Sequence, residues 1–105
     1  MRGAVRLRAA ARADADKVIE HLLREGALSA AEKFVDALES AYARIAQFPD
    51  SGSPRYAHEL GIDGLRCVLV KGFPYIAFYV VHQDRLDVLR VLHAHEDIPQ
   101  WLRSD

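Results

Sequence analysis

Cysteine is almost missing from this 105-residue chain, which has 1, Cys67. A lone thiol excludes an internal disulfide and any zinc site built from several cysteines. Cys67 stands in the apolar run 65–70, where a buried, inert thiol is expected rather than a nucleophile. Long apolar runs are missing too. The longest, residues 76–81, falls far short of the ~20 residues that span a bilayer. Near the start, Arg2, Arg6, Arg8 and Arg12 alternate with small residues and make no hydrophobic signal segment, so a cytoplasmic location is expected. Excess basic charge is the third absence: 14 Lys+Arg against 15 Asp+Glu leave a net charge of −1. Proteins that grip phosphate backbones usually carry a cationic surplus. Any contact with nucleic acid would have to come from a local patch. No repeat, low-complexity tract or linker interrupts the chain, and a single domain over residues 1–105 is expected.

What is present is clear periodicity. Residues 4–8 alternate, Val5 and Leu7 against Arg6 and Arg8, as in an edge or half-buried strand. Ala15, Val18, Ile19, Leu22 and Leu23 then form one apolar stripe at helical spacing, stopped at Gly26. Ser29-Ala-Ala-Glu32 has the pattern of a capping box. It opens a second helix marked by Phe34, Leu38, Ala41, Tyr42, Ile45 and Phe48 and ended by Pro49. With so short a join the two helices must form an antiparallel hairpin. A turn-rich segment, 49–54, precedes three strand-like runs at 64–71, 74–82 and 86–93, rich in Val, Ile, Phe, Tyr and Leu. Short loops between them predict an antiparallel meander, and 96–102 predicts a last helical turn. The fold class is therefore α+β, in the order β-α-α-β-β-β, with the helical hairpin packed on an antiparallel sheet.

The sheet carries apolar side chains on both faces: Ile76, Phe78 and Val80 at one parity, Tyr75, Ala77, Tyr79 and Val81 at the other. A two-helix layer covers one face only. The second is covered either by Tyr56, Leu60, Trp101 and Leu102 of the chain itself, or by a partner.

Ala15-Asp16-x-x-Ile19, Ala31-x-x-Phe34, Phe48-Pro49-x-x-Gly52, Leu65-Arg66, Tyr75-x-x-x-Tyr79 and Val88-Leu89-Arg90-Val91-Leu92-His93, followed by Asp97-Ile98, stand in that order along nearly the whole chain. In this order they resemble the ParE/RelE toxin family, the ParE branch more closely. The resemblance implies the toxin of a type II toxin–antitoxin pair of the plasmid-stabilisation kind, neutralised by a ParD-like antitoxin that lays helix or strand along apolar grooves. It implies inhibition of DNA gyrase and growth arrest, with DNA met only through antitoxin or gyrase. Apolar residues of the hairpin and sheet are the candidate antitoxin contacts: Val18, Leu22, Phe34, Leu38, Tyr42, Tyr75, Tyr79, Leu89 and Val91.

The RelE branch instead cleaves messenger RNA on the ribosome, which needs a base, an acid and cations converging on a phosphate. Arg66, Lys71, Arg90, His93 and His95 are the candidates. On a regular strand Arg90 and His93, three apart, point to opposite faces, and Glu96 and Asp97 oppose phosphate binding. This favours an inhibitor that acts by binding, with no catalytic residue and no cofactor. Arg66, Lys71, Arg90, His93, His95, Trp101 and Arg103 are then target contacts, and a ribonuclease or a non-toxic interaction module is the alternative. Arg90 could instead pair with a carboxylate, Asp16 or Asp97. His93-Ala-His95 lacks a clear third ligand, so no metal is expected. Ala94-His95-Glu96-Asp97 is less cationic than relatives at these positions, where His95 would add pH sensitivity.

Overall fold

The computed structural model describes residues 4–103, and the side chains as far as residue 102. Strand β1 (Ala4–Leu7) leads into helices α1 (Ala9–Arg24) and α2 (Leu28–Gln47). A 3-10 turn (Pro49–Ser51) and a short helix α3 (Arg55–Leu60) follow. Then come β2 (Leu65–Leu69), β3 (Tyr75–Val81), β4 (Arg85–His93) and the short C-terminal helix α4 (Ile98–Arg103). The sheet order is β1-β4-β3-β2. β2, β3 and β4 form the expected meander. β1, however, runs parallel to β4, Ala4 opposite Arg85 through Leu7 opposite Val88, so the sheet is mixed rather than wholly antiparallel. The hairpin between β1 and β2 carries the chain across the sheet, as a parallel connection requires. No helix among the described residues is long and apolar enough to cross a membrane.

Gly26 ends α1 as its position suggests. At φ +73° it lets its own N–H bond Leu23 O and that of Ala27 bond Leu22 O, the paired closure that Schellman turns use. That turn launches α2 at once, with Ala27 as its N-cap. Ser29 therefore lies inside the first turn, two residues past the N-cap, and the expected capping box does not form.

The main core lies between the hairpin and the sheet. Phe34 and Ile45 of α2 and Val88, Ala77 and Tyr79 of the sheet are 0% exposed. Burying each large side chain contributes roughly 1.5–3 kcal/mol. The second face has its own smaller core, Leu65, Phe78, Leu92 and Ile98, roofed by Tyr56, Ala57 and Leu60 of α3 and Leu102 of α4. Tyr56 meets Phe78 edge-on at 5.5 Å. The chain thus covers most of its own second face, and a doubly apolar sheet is not by itself a reason to expect a partner.

One irregularity redirects β4. Phe78 faces Arg90 but Tyr79 faces Val88, leaving Leu89 as an extra residue. Such a bulge shifts every later side chain by one face. Leu86, Val88 and Val91 consequently share the helical side, while Leu89 and Leu92 join the second core.

Where β1 meets β4, Asp87 is 6% exposed, with His82 Nε2 at 3.2 Å, Arg85 Nε at 3.3 Å and Arg8 Nη2 at 3.6 Å. Burial alone would raise its pKa, but Arg85 foremost, then His82 and Arg6, hold it below the ordinary carboxylate range. A depressed carboxylate stabilises the fold above its unfolded pKa of ~4 and loses that contribution as pH falls through the lower folded value. Urea midpoints should therefore drop on acidification below about pH 4. Asp87→Asn should flatten that slope.

Candidate functional site

β4 is nine residues long and β1 only four, so β1 stops beside Val88 and the rest of β4 has no strand on that side. Buried backbone groups need partners, and side chains supply them. Asp14 of α1 accepts the Val91 N–H at 2.9 Å. Glu96 Oε1 accepts the His93 N–H at 2.8 Å. Arg90 then closes on Asp14 as a two-pronged pair, Nε to Oδ2 and Nη2 to Oδ1, both at 2.8 Å. Its third arm, Nη1, donates to the Trp101 carbonyl at 2.9 Å, and the guanidinium lies 5.1 Å from the Trp101 ring centre. The carboxylate partner of Arg90 is therefore Asp14, not Asp16 or Asp97. Asp16 is exposed, and Asp97 caps α4 through the Gln100 N–H.

Beyond the bulge, Arg90 and His93 line one cleft, together with Lys17 and His21 of α1, Tyr75, Glu96 and Trp101. Strand parity does separate the two side chains, since the register is regular from Phe78 opposite Arg90 to Tyr75 opposite His93; they meet in one cleft around the edge of β4 that β1 leaves uncovered. His93 packs edge-on against Tyr75 at 5.2 Å. Its Nδ1 accepts the His95 N–H at 3.1 Å, and the two imidazoles lie 5.2 Å apart. Trp101 is 39% exposed and His95 is open to solvent. Among the described residues no three His, Cys, Asp or Glu side chains are grouped to hold a metal ion.

The other basic candidates lie elsewhere. Arg66, on β2, donates from Nη1 to Gly52 O at 2.8 Å and Asp50 O at 3.1 Å, clamping the loop after α2. Lys71 is exposed in the β2–β3 turn, and the Arg103 side chain lies outside the described residues. The apolar candidates divide by burial. Phe34, Leu38, Tyr79, Val18 and Val91 are 7% exposed or less and belong to the hairpin–sheet core, with Val18 and Val91 also forming the floor of the cleft. Leu22, Tyr42, Tyr75 and Leu89 are half-buried. The Tyr42 hydroxyl is pushed up to about 12, by burial first and by Asp14 second, with Arg12 opposing.

Sequence reasoning missed Asp14, Lys17 and His21, and placed Glu96 beside His93 without its role of accepting the His93 N–H. Only Asp14 left a trace, as a carboxylate on the helix preceding a strand with a lone buried arginine. It missed Leu69 as well, 63% exposed on β2.

No curated protein is significantly similar in sequence. Among solved structures, a chain of the chromosomal ParDE TA system from P. aeruginosa superposes with a TM-score of 0.71 at 20% identity, covering 87% of this chain and 95% of that one. That likeness supports the fold alone. Residues 5–98 match the family described as the ParE toxin of the type II toxin-antitoxin system, parDE. With the match running over nearly every element from β1 to the start of α4, the chain belongs to the ParE toxin family.

Proposed function

We propose that this protein is the toxin of a type II pair that acts by binding, inhibiting DNA gyrase and so blocking replication, and that a ParD-like antitoxin neutralises it. The observation that carries this reading is how the cleft spends its polar groups. Arg90 is tied to Asp14 and the Trp101 carbonyl, Glu96 to the His93 N–H, and His93 Nδ1 to the His95 N–H. Groups that would clamp a scissile phosphate or move its protons are engaged in finishing the edge of β4. What faces outward is a half-open tryptophan backed by an arginine, the composition of a protein-contacting anchor. The net charge of −1 agrees with a protein target rather than a phosphate backbone.

The purified chain is expected to block supercoiling by gyrase, or to trap cleaved DNA, at stoichiometric concentrations. Trp101→Ala should weaken that block at least ~10-fold while the variant stays folded at the assay temperature. Normal supercoiling at saturating toxin, with messenger RNA cut in a translation extract, would reverse the assignment. The same cleft gives the ribonuclease reading its one support, since Arg90, His93, Lys17 and His21 line it together.

A further inference from the structure

We propose that α2 pairs antiparallel with α2 of a second copy of this chain, about a two-fold axis through Ser40, to make a homodimer. The pairing does not depend on which target the Trp101 cleft binds.

The outward face of α2 is not a plain solvated surface. Ala37 and Ala41 leave a hollow of about 290 Å³ beside Leu69 of β2. Leu69 is 63% exposed, and Phe48, one turn beyond Arg44, is 55% exposed. Single exposed apolar residues are ordinary, but here two accompany one helix face.

Charge selects the occupant. Asp36 and Arg44 line the hollow and are both exposed. They stand two turns apart, about 12 Å along the helix, with Ser40 midway between them. Neither forms an ion pair among the described residues. A partner must therefore set a base against Asp36 and an acid against Arg44, two turns on. The same helix reversed about Ser40 does so, and does it twice, because an isologous contact repeats each pair. Lys33 then comes opposite Gln47 of the second copy, within reach of its Phe48 ring, where a cation–π contact is favourable. A parallel pairing would bring like charge against like.

Exposed ion pairs add little strength, so these set the register while coverage of Leu69 and Phe48 supplies the attraction. With Ala37, Ser40 and Ala41 between the charges, the helices can approach to the short end of the ~8–10 Å interaxial range. Lys71, the other charge on the hollow, is exposed in the β2–β3 turn and can extend into solvent. One helix face with its flanks is small for an interface, and the dissociation constant is expected on the order of 10 µM. β2 stands at one edge of the sheet, while the cleft opens beside α1 and β4. The seam leaves both clefts uncovered, so the dimer offers two.

Sedimentation velocity of the purified full chain, from about 1 to about 200 µM, tests this. The sedimentation coefficient should rise from that of a monomer to that of a dimer. Asp36→Arg and Arg44→Asp, both at exposed positions, should each weaken association at least ~10-fold. Mixed in equal amounts, the two variants should pair again, since each then carries what the other lacks. Ser40→Arg, which sets two cations against each other on the axis, should also hold the chain monomeric and serves if either reversal fails to fold. A chain that stays monomeric throughout overturns the dimer. A dimer that survives the charge reversals, or Ser40→Arg, forms through another surface and overturns the α2 seam. Variants that do not pair again on mixing overturn the antiparallel register.

Discussion

Replacing Asp14 with alanine should cost ~3–5 kcal/mol, because it removes one partner of a buried, two-pronged ion pair. The Asp14 and Arg90 side chains are each 10% exposed, and both arms of the pair are 2.8 Å long. The carboxylate also serves the Val91 N–H at 2.9 Å, so its loss leaves a backbone donor at the edge of β4 unsatisfied as well. A domain of this size is stable by ~5–15 kcal/mol, so the variant is expected close to its unfolding threshold. Arg90→Met alone should be costly for the complementary reason, an unpaired buried carboxylate. The double variant Asp14→Leu/Arg90→Met should cost less than the two single changes added together, by ~1–3 kcal/mol. Urea unfolding of all four proteins gives the cycle. A loss below about 1 kcal/mol for Asp14→Ala would mean that the pair is solvated and merely decorates the edge.

Gly52→Ala is the second large effect, expected at ~2–3 kcal/mol. Gly52 is buried, and its N–H donates to Tyr79 Oη at 3.0 Å while that hydroxyl donates to Pro49 O at 2.7 Å. A methyl group there would strike Tyr79 Oη, with Tyr79 Cε1 at 2.9 Å and Cys67 O at 3.0 Å. No flexible end can yield, since the ring is 0% exposed and the carbonyl belongs to β2. Tyr79→Phe should lose two hydrogen bonds but relieve the worst contact. The alanine should therefore cost less in the phenylalanine background, and thermal or urea melts of the four proteins measure this. Additive losses would show that the loop simply lifts away from Tyr79.

These two clusters also mark how far the sequence could be read. Helical spacing in residues 15–23 and 34–48 and the apolar meander carried the layer order, because burial of one face writes itself into local periodicity. Phe48-Pro49-x-x-Gly52 and Tyr79 were visible as parts of a pattern. Their mutual hydrogen bonds were not, since they join positions |i−j| = 27 and 30 apart. The bulge at Leu89 had no local signal: no glycine or proline stands there, and one extra residue put Val88 and Val91 on the same face. The direction of β1 was hidden for a related reason, since alternation marks a strand without saying which way its neighbour runs. α3 was lost in a segment dominated by turn formers. The exposure of Leu69 depends on where the Ser53 loop ends, which no side-chain pattern records.

The parallel seat of β1 beside β4 sets a schedule for synthesis. The first strand made must wait for the last, since β4 lies between β1 and β3 at the centre of the sheet. The pair that closes the cleft joins residues |i−j| = 76 apart. During translation the hairpin and the first strands of the meander emerge without the strand that holds them together, and local helix is all that can form early. The cleft comes into being only once β4 and the α4 segment that completes it have both been made.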